Sequence, residues 1–303
     1  MADGTTATAQ LRPHFEDVQA HYDLSDDFFG LFQDPTRTYS CAYYEHPDMS
    51  LQEAQLAKID LALDKLGLQP GMTLLEVGCG WGSTMKRAME RYDVNVIGLT
   101  LSRNQCAYTR RLLDQVDTER SHQVLLKGWE QFDEPVDCIV SIEAFEAFGK
   151  PRYAPFFDMT YRVLPPGGRM VLETIFTHPI NYWREHGIAV TMNDIRFMRF
   201  IGKEIFPGGQ LPSDQDIFEI SSGSGFSMGK VQVMNEHYVR TLDTWAANLH
   251  AHKDDAIATT SQEVYDRYMR YLTGCADFFR RGIAEVGQFS LDKSGPNQAS
   301  QKN

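Results

Sequence analysis

Positive charge is scarce in this chain. Against 41 Asp and Glu it sets 29 Lys and Arg, a net charge near −12. Gripping nucleic acid through its phosphates takes the opposite balance, so that class of function is excluded. An anionic small substrate is not, since it needs only a local basic patch. Cysteine pairing is also missing. Cys41, Cys79, Cys106, Cys138 and Cys275 are odd in number and hold no C-x-x-C, so neither a disulfide framework nor a metal site is expected. No apolar run reaches membrane-spanning length, and residues 1–10 lack the basic-then-apolar order of a secretory signal. A cytoplasmic protein is expected, meeting lipid through a pocket or a peripheral surface. There is no internal repeat and no low-complexity tract.

What is present is an alternation. Ser50 to Leu66 reads as an amphipathic helix, with Ser50 as N-cap and Glu53 closing a capping box. Strands are predicted at 73–77, 95–99, 124–126, 137–141 and 169–174, with helical stretches between them. Strand–helix alternation argues for a doubly wound parallel sheet. After Thr174 the pattern changes to a segment rich in aromatic, Met and basic residues, then a long helical stretch. Further strands are expected at 230–234 and 288–291. The simplest organisation is one α/β domain: a helical cap over 1–66, a cofactor-binding core over 67–175, an inserted lid over 176–225, and the rest of the core over 226–303.

Glu76-Val77-Gly78-Cys79-Gly80-Trp81-Gly82 follows the first strand and opens a helix. Glycines let a backbone turn sharply and approach a ligand closely. The spacing is G-x-G-x-G, not the dinucleotide G-x-G-x-x-G, which disfavours a nicotinamide dehydrogenase. An acidic residue just before the loop suits the cationic amino-acid end of S-adenosylmethionine. Leu164-Pro165-Pro166-Gly167-Gly168 matches the turn ahead of the fifth strand in class I methyltransferases. Gly128-Trp129 sits where an adenine ring stacks. The second strand ends Gly98-Leu99-Thr100, without the usual acid for the ribose hydroxyls, and Gln105 can take its place.

Several further segments carry a resemblance: His21-Tyr22-Asp23-Leu24-Ser25, Tyr39-Ser40-Cys41-Ala42-Tyr43, Ala144-Phe145-Glu146, Glu204-Ile205-Phe206-Pro207-Gly208-Gly209, and Arg267-Tyr268-Met269 to Cys275. With the glycine loop and Gly98 to Ser102, they make the sequence similar to the cyclopropane fatty acid synthases, specifically the mycolic acid methyltransferases of mycobacteria. The resemblance implies a class I S-adenosylmethionine-dependent methyltransferase with a Rossmann-like doubly wound sheet. It implies methyl transfer to a cis double bond of a long acyl chain, carried on acyl carrier protein. It assigns cofactor contacts to Tyr39, Ser40, Glu76, Gly78, Gly80, Gly82, Thr100, Leu101, Gln105, Trp129 and Glu130.

An alkene is a weak nucleophile, so the methyl donor must be held close and in line with it. The transfer leaves a carbocation, which ring faces can stabilise while excluding water. Candidate aromatics are Tyr22, Tyr39, Phe145, Phe206, Tyr238 and Tyr271. Ring closure then needs a base. The resemblance implies a bound bicarbonate held by Glu146, Tyr238, a His, and backbone near Cys41. The His position falls at Glu173, a departure. Two carboxylates should repel each other and the anion. Three outcomes stay open: a Glu173 protonated by coupling to Glu146 that keeps bicarbonate, a lost bicarbonate with water capturing the cation, or Glu173 or Glu146 acting as the base. A fourth reading turns Glu173 away to pair with a Lys or Arg. The expectation favours a weakened or lost bicarbonate site. Cys275 matches a position once considered nucleophilic, although this chemistry needs no thiolate. Arg196, Arg199 and Lys203 are spaced for one helix face that can dock an acidic carrier protein or a phosphate head group. Two alternative functions remain, a head-group or small-molecule methyltransferase and a catalytically silent cofactor or lipid binder.

Overall fold

Seven runs of the chain pair into one sheet in the computed structural model, which describes residues 26–294. In chain order the elements are α1 (Asp26–Gly30), α2 (Leu51–Asp64), β1 (Thr73–Val77), α3 (Ser83–Tyr92), β2 (Asn95–Thr100), α4 (Arg103–Leu113), β3 (His122–Leu126), β4 (Cys138–Ile142), α5 (Tyr153–Val163) and β5 (Arg169–Thr177). There follow α6 (Ile180–Glu185), α7 (Met192–Phe200), α8 (Asp214–Gly223), β6 (Phe226–Val233), α9 (Asn235–Ala251), α10 (Lys253–Thr259), α11 (Gln262–Arg280) and β7 (Ala284–Lys293). The strand order is β3-β2-β1-β4-β5-β7-β6. β1 to β5 run parallel, and β7 lies antiparallel between β5 and β6. The order reverses between β1 and β4. In open sheets of this kind the crevice beyond the carboxyl ends at such a point is where ligands bind.

The central strands are apolar without alternation because both faces are covered. Leu75, Ile139, Leu172 and Phe289 pack under Phe145, Tyr153, Phe156 and Phe157 on one face. Leu74, Val96, Cys138 and Val140 pack under Met85, Ala88 and Ile59 on the other. A third cluster is rich in aromatic residues. It gathers Phe28, Phe29 and Phe32, Phe200 and Ile205 from the insertion, and Tyr238, Trp245, Tyr268 and Tyr271 from α9 and α11, and it reaches the glycine loop through Trp81.

The expected boundaries shift where antiparallel pairing extends a strand. β5 runs to Thr177 rather than Thr174 because its partner β7 begins at Ala284, not Gln288. β6 starts at Phe226 rather than Lys230, with a register irregularity between Met228 and Val231. The insertion is shorter than 176–225. α8 packs on α5 and β6, and its Ile217 is buried in the core under the sheet, so α8 is the crossover helix into β6. α2 is capped as its sequence predicts: Glu53 N–H donates to Ser50 Oγ at 3.3 Å, and Ser50 N–H donates to Glu53 at 2.8 Å. Among the described residues no helix is long and apolar enough to cross a membrane.

Candidate active site

The loop after β1 turns on three left-handed glycines, Gly78 (φ 84°), Gly80 (φ 50°) and Gly82 (φ 84°). A Cβ on Gly78 would lie 2.5 Å from that of Ala144, and one on Gly82 would lie 2.4 Å from Thr109 Cγ2. These two glycines are needed for packing against the next strand and helix. Gly80 differs, because a Cβ there would meet nothing within 4 Å. It leaves open space for a ligand to approach the backbone. Glu76 closes β1 beneath the loop and is buried. Its Oε2 has no hydrogen-bond partner. Burial pushes its carboxyl up to about 8, opposed by a hydrogen bond from Thr84 and by the field of Lys58. A buried carboxylate oxygen without a donor beside an open glycine is complementary to an ammonium group, so these residues fit S-adenosylmethionine.

Where the ribose is expected, Thr100 Oγ1 donates to Gln105 Oε1 at 2.9 Å, and Ser102 caps α4. Leu101 lies between them, partly exposed. Trp129 opens a short turn after β3 and is buried, its ring edge-on to Phe156 at 5.5 Å. Glu130 is ion-paired with Arg152.

The segment Tyr39–Cys41 is drawn in from the cap. Gln55 of α2 donates to Ser40 O at 2.8 Å, and Ala42 N–H donates to Thr241 Oγ1 at 3.1 Å. Lys58 of α2, wholly buried, donates to Ser40 Oγ and lies 3.6 Å from Glu173. Glu173 is also buried and accepts from Gln288 Nε2 at 2.8 Å. Burial raises its carboxyl, and Lys58 opposes that rise. Glu173 is therefore held by a lysine and a glutamine, as in the reading that turns it aside, and its side chain does not take up the donors implied for the anion.

Those donors go to a residue the sequence reading passed over. Glu143 follows the last residue of β4, at the crevice. Cys41 N–H donates to its Oε1 at 2.7 Å, and the Tyr238 hydroxyl donates to its Oε2 at 2.6 Å. The resemblance gives Tyr238 and the Cys41 backbone to a bicarbonate; here Glu143 engages both, and these donors as placed do not fit that anion. Burial, with Glu173 and Glu146 nearby, raises the Glu143 carboxyl well above the carboxylate range, and its two donors oppose the rise. Glu146, one turn on, accepts from Thr174 Oγ1 at 2.8 Å, and burial pushes its carboxyl up to about 7. Glu143 was discoverable as an acid just past the carboxyl end of a strand, as Glu76 was noticed just before the glycine loop.

Four of the candidate aromatics meet. Tyr39 OH donates to Tyr271 OH at 3.3 Å, Phe206 lies edge-on to Tyr271, and Tyr39 and Tyr238 both pack on Trp245. Phe145 does not join them; it stacks on Tyr153 at 4.2 Å within the core on the sheet face. Tyr22 and the His21–Ser25 segment lie outside the described residues. Cys41 Sγ is buried, and its thiol is held well above its usual value. Burial pushes the Cys275 thiol up to about 12, so it stays protonated. That argues against Cys275 as a nucleophile.

A seven-stranded sheet in this order, with a glycine loop and a buried acid at the end of β1, defines a class I S-adenosylmethionine-dependent methyltransferase. The sequence profile of the family described as mycolic acid cyclopropane synthetase matches residues 9–289. The S-adenosylmethionine-dependent methyltransferase UmaA of Mycobacterium tuberculosis is 59% identical over 284 residues, covering 94% of this chain and 99% of that one. Methoxy mycolic acid synthase MmaA3 of the same species is 58% identical over 293 residues, covering 97% and 100%. The crystal structure of mycolic acid cyclopropane synthase CmaA1 complexed with SAH and CTAB superposes with a TM-score of 0.91 at 59% identity, covering 93% and 99%. The chain belongs to the mycolic acid cyclopropane synthetase family.

Proposed function

We propose that the protein methylates a cis double bond within a long mycolic-type acyl chain, through a carbocation, to give a cyclopropane or a methyl branch beside a hydroxyl. The observation that carries this reading is the aromatic wall of Tyr39, Phe206, Tyr238, Tyr271 and Trp245 beside the buried carboxylates. A head-group methyltransferase needs polar donors for its substrate, whereas the hydroxyls in this wall are engaged within the protein, Tyr39 with Tyr271 and Tyr238 with Glu143. Rings can solvate a carbocation without reacting with it, and they keep bulk water away. S-adenosylmethionine supplies an electrophilic methyl group. The loop at Gly78, Gly80 and Gly82, with Glu76, Thr100 and Gln105, binds and orients it, and the segment Tyr39–Ser40 closes over it from the cap. Family relatives named for cyclopropane and methoxy products support both product classes.

The acyl chain arrives on an acyl carrier protein. Arg196, Arg199 and Lys203 are exposed on the insertion, a local basic face in an acidic protein that complements an acidic carrier. Reversing the three charges weakens turnover of carrier-bound substrate and leaves cofactor affinity alone; unchanged turnover would remove the carrier.

The test of the function is mass spectrometry of lipids from a host that lacks its own homologues and expresses this chain. A gain of one CH2 with loss of the alkene is the cyclopropane. A gain of methyl plus hydroxyl is water capture. Methylation confined to head groups would overturn the reading.

A further inference from the structure

Both products require the same last event, the loss of one proton, and the residues around Glu143 bear on where it goes. We propose that the Glu143 carboxylate is the base that receives this proton, so that the enzyme carries its base in its own chain and needs no bound bicarbonate. The proposal rests on the carbocation reading above.

Three observations converge on it. The first is the pair of donors. Cys41 N–H and the Tyr238 hydroxyl come from two different elements and bind one oxygen each. They fix the carboxylate plane and leave further lone pairs on both oxygens. A small anion placed on the same donors would overlap the side chain already there.

The second is the backbone. Glu143 has φ 47°, in the left-handed region that favours glycine. A residue with a side chain costs about 1 kcal/mol or more there. The surroundings hold it in place: its N–H donates to Glu173 O at 2.8 Å, and both carboxylate oxygens are bound. Strain kept just past the end of a switch-point strand, in a residue whose carboxylate is held from two separate elements, is a mark of function rather than packing. A glycine would fill the backbone role without that strain.

The third is the setting. Glu143 and Glu146 remain partly accessible, whereas Glu173 and Lys58 are sealed behind them. Tyr238 belongs to the same aromatic cluster as Tyr39, Phe206 and Tyr271. The carboxylate therefore stands at the wall where the cation would form. Its two donors favour the ionised form from which a base must start, while burial beside two further glutamates raises its affinity for the proton it takes from carbon or from water.

The step balances in either form. In ring closure, a C–H bond of the newly added methyl breaks. Its electron pair forms the bond to the cationic carbon, and the proton goes to Glu143, leaving a cyclopropane and a neutral glutamic acid. In water capture, a lone pair of water forms the C–O bond, one O–H bond breaks, and that proton goes to Glu143. The acid returns its proton to solvent between turnovers.

The experiment compares wild type, E143Q and E143G in buffer purged of CO2, with and without added bicarbonate. Turnover is read with the lipid fraction that yields product in the expression test. Binding of carbon-13 bicarbonate is read separately by NMR line broadening, which needs no substrate and so separates failure of this proposal from failure of the function. SAH affinity checks that each variant folds. Wild type turns over equally with and without bicarbonate and does not broaden its signal. E143Q loses about 100-fold in turnover. E143G frees the Cys41 and Tyr238 donors, binds bicarbonate and regains about 10-fold of its activity from it. Wild-type turnover that depends on bicarbonate, or E143Q within a few-fold of wild type, overturns the proposal. If a variant does not fold, the wild-type bicarbonate comparison still decides.

Discussion

Two glutamates stand at the ends of adjacent strands, and they are finished differently. Glu76, at the end of β1, has one oxygen buried with no protein partner. Glu143, just past the end of β4, has both oxygens bound by protein donors. A buried carboxylate oxygen left without a donor is costly, and that cost is recovered only when a cationic ligand arrives. A carboxylate held by two donors is already fixed in place, and what it can still do is accept a proton. The same side chain thus serves binding on one strand and, in the proposal above, chemistry on the next. Lys58 is connected to both. Its field acts on Glu76, and it is paired with Glu173, whose backbone oxygen accepts from Glu143 N–H.

That contrast can be broken in several places. The largest effect is expected at Lys58, because Lys58→Met leaves Glu173 buried without its cation. We expect a loss of about 3 kcal/mol in urea unfolding, largely recovered in Lys58→Met with Glu173→Leu. Full additivity of the two would show that the pair is not coupled. Next is Glu76→Gln, which should weaken both S-adenosylmethionine and SAH by about 10- to 100-fold in calorimetric titration, since the lost partner is the shared ammonium. Tyr238→Phe removes one of the two donors from Glu143 and should lower kcat by about 10-fold with cofactor affinity unchanged. An equal loss in both would place Tyr238 in cofactor binding instead.

The pH dependence of stability isolates Glu76. Its folded value of about 8 lies above the usual 4.5, so the native state keeps a proton that the unfolded chain sheds between these values. Stability therefore falls as pH rises through that window. The Tm of the cofactor-free protein should drop between pH 5 and 8 by about 5 °C more in wild type than in Glu76→Gln. Parallel curves would contradict this. The smallest effect belongs to Cys275→Ser, because a thiol pushed up to about 12 supplies no nucleophile. Turnover should change by about twofold or less.

The cofactor half of the site was largely legible in the sequence. A glycine loop needs particular residues at fixed spacing, and Gly78 and Gly82 have no room for a side chain. The sheet was legible for a similar reason, since parallel strands buried on both faces read as short apolar runs. β6 and β7 were misplaced because antiparallel strands near the sheet edge, including Gly229 and Lys230, carry less of that signal. The acceptor half was harder. Glu146 and Glu173 drew attention through resemblance, while Glu143 is one acid among 41 and gains its meaning from Cys41 and Tyr238, 102 and 95 residues away in the chain. Lys58 likewise reads as an ordinary helical lysine until the fold buries it against Ser40 and Glu173. Spacing reveals local geometry, and these contacts are long-range.

The most direct test of this division of labour measures cofactor Kd and kcat on Glu76→Gln and Glu143→Gln side by side. The account predicts a crossover: Glu76→Gln raises Kd while kcat at saturation falls only a few-fold, and Glu143→Gln lowers kcat by about 100-fold with Kd unchanged. If both variants lose the same quantity, the two glutamates share one role and the account is contradicted.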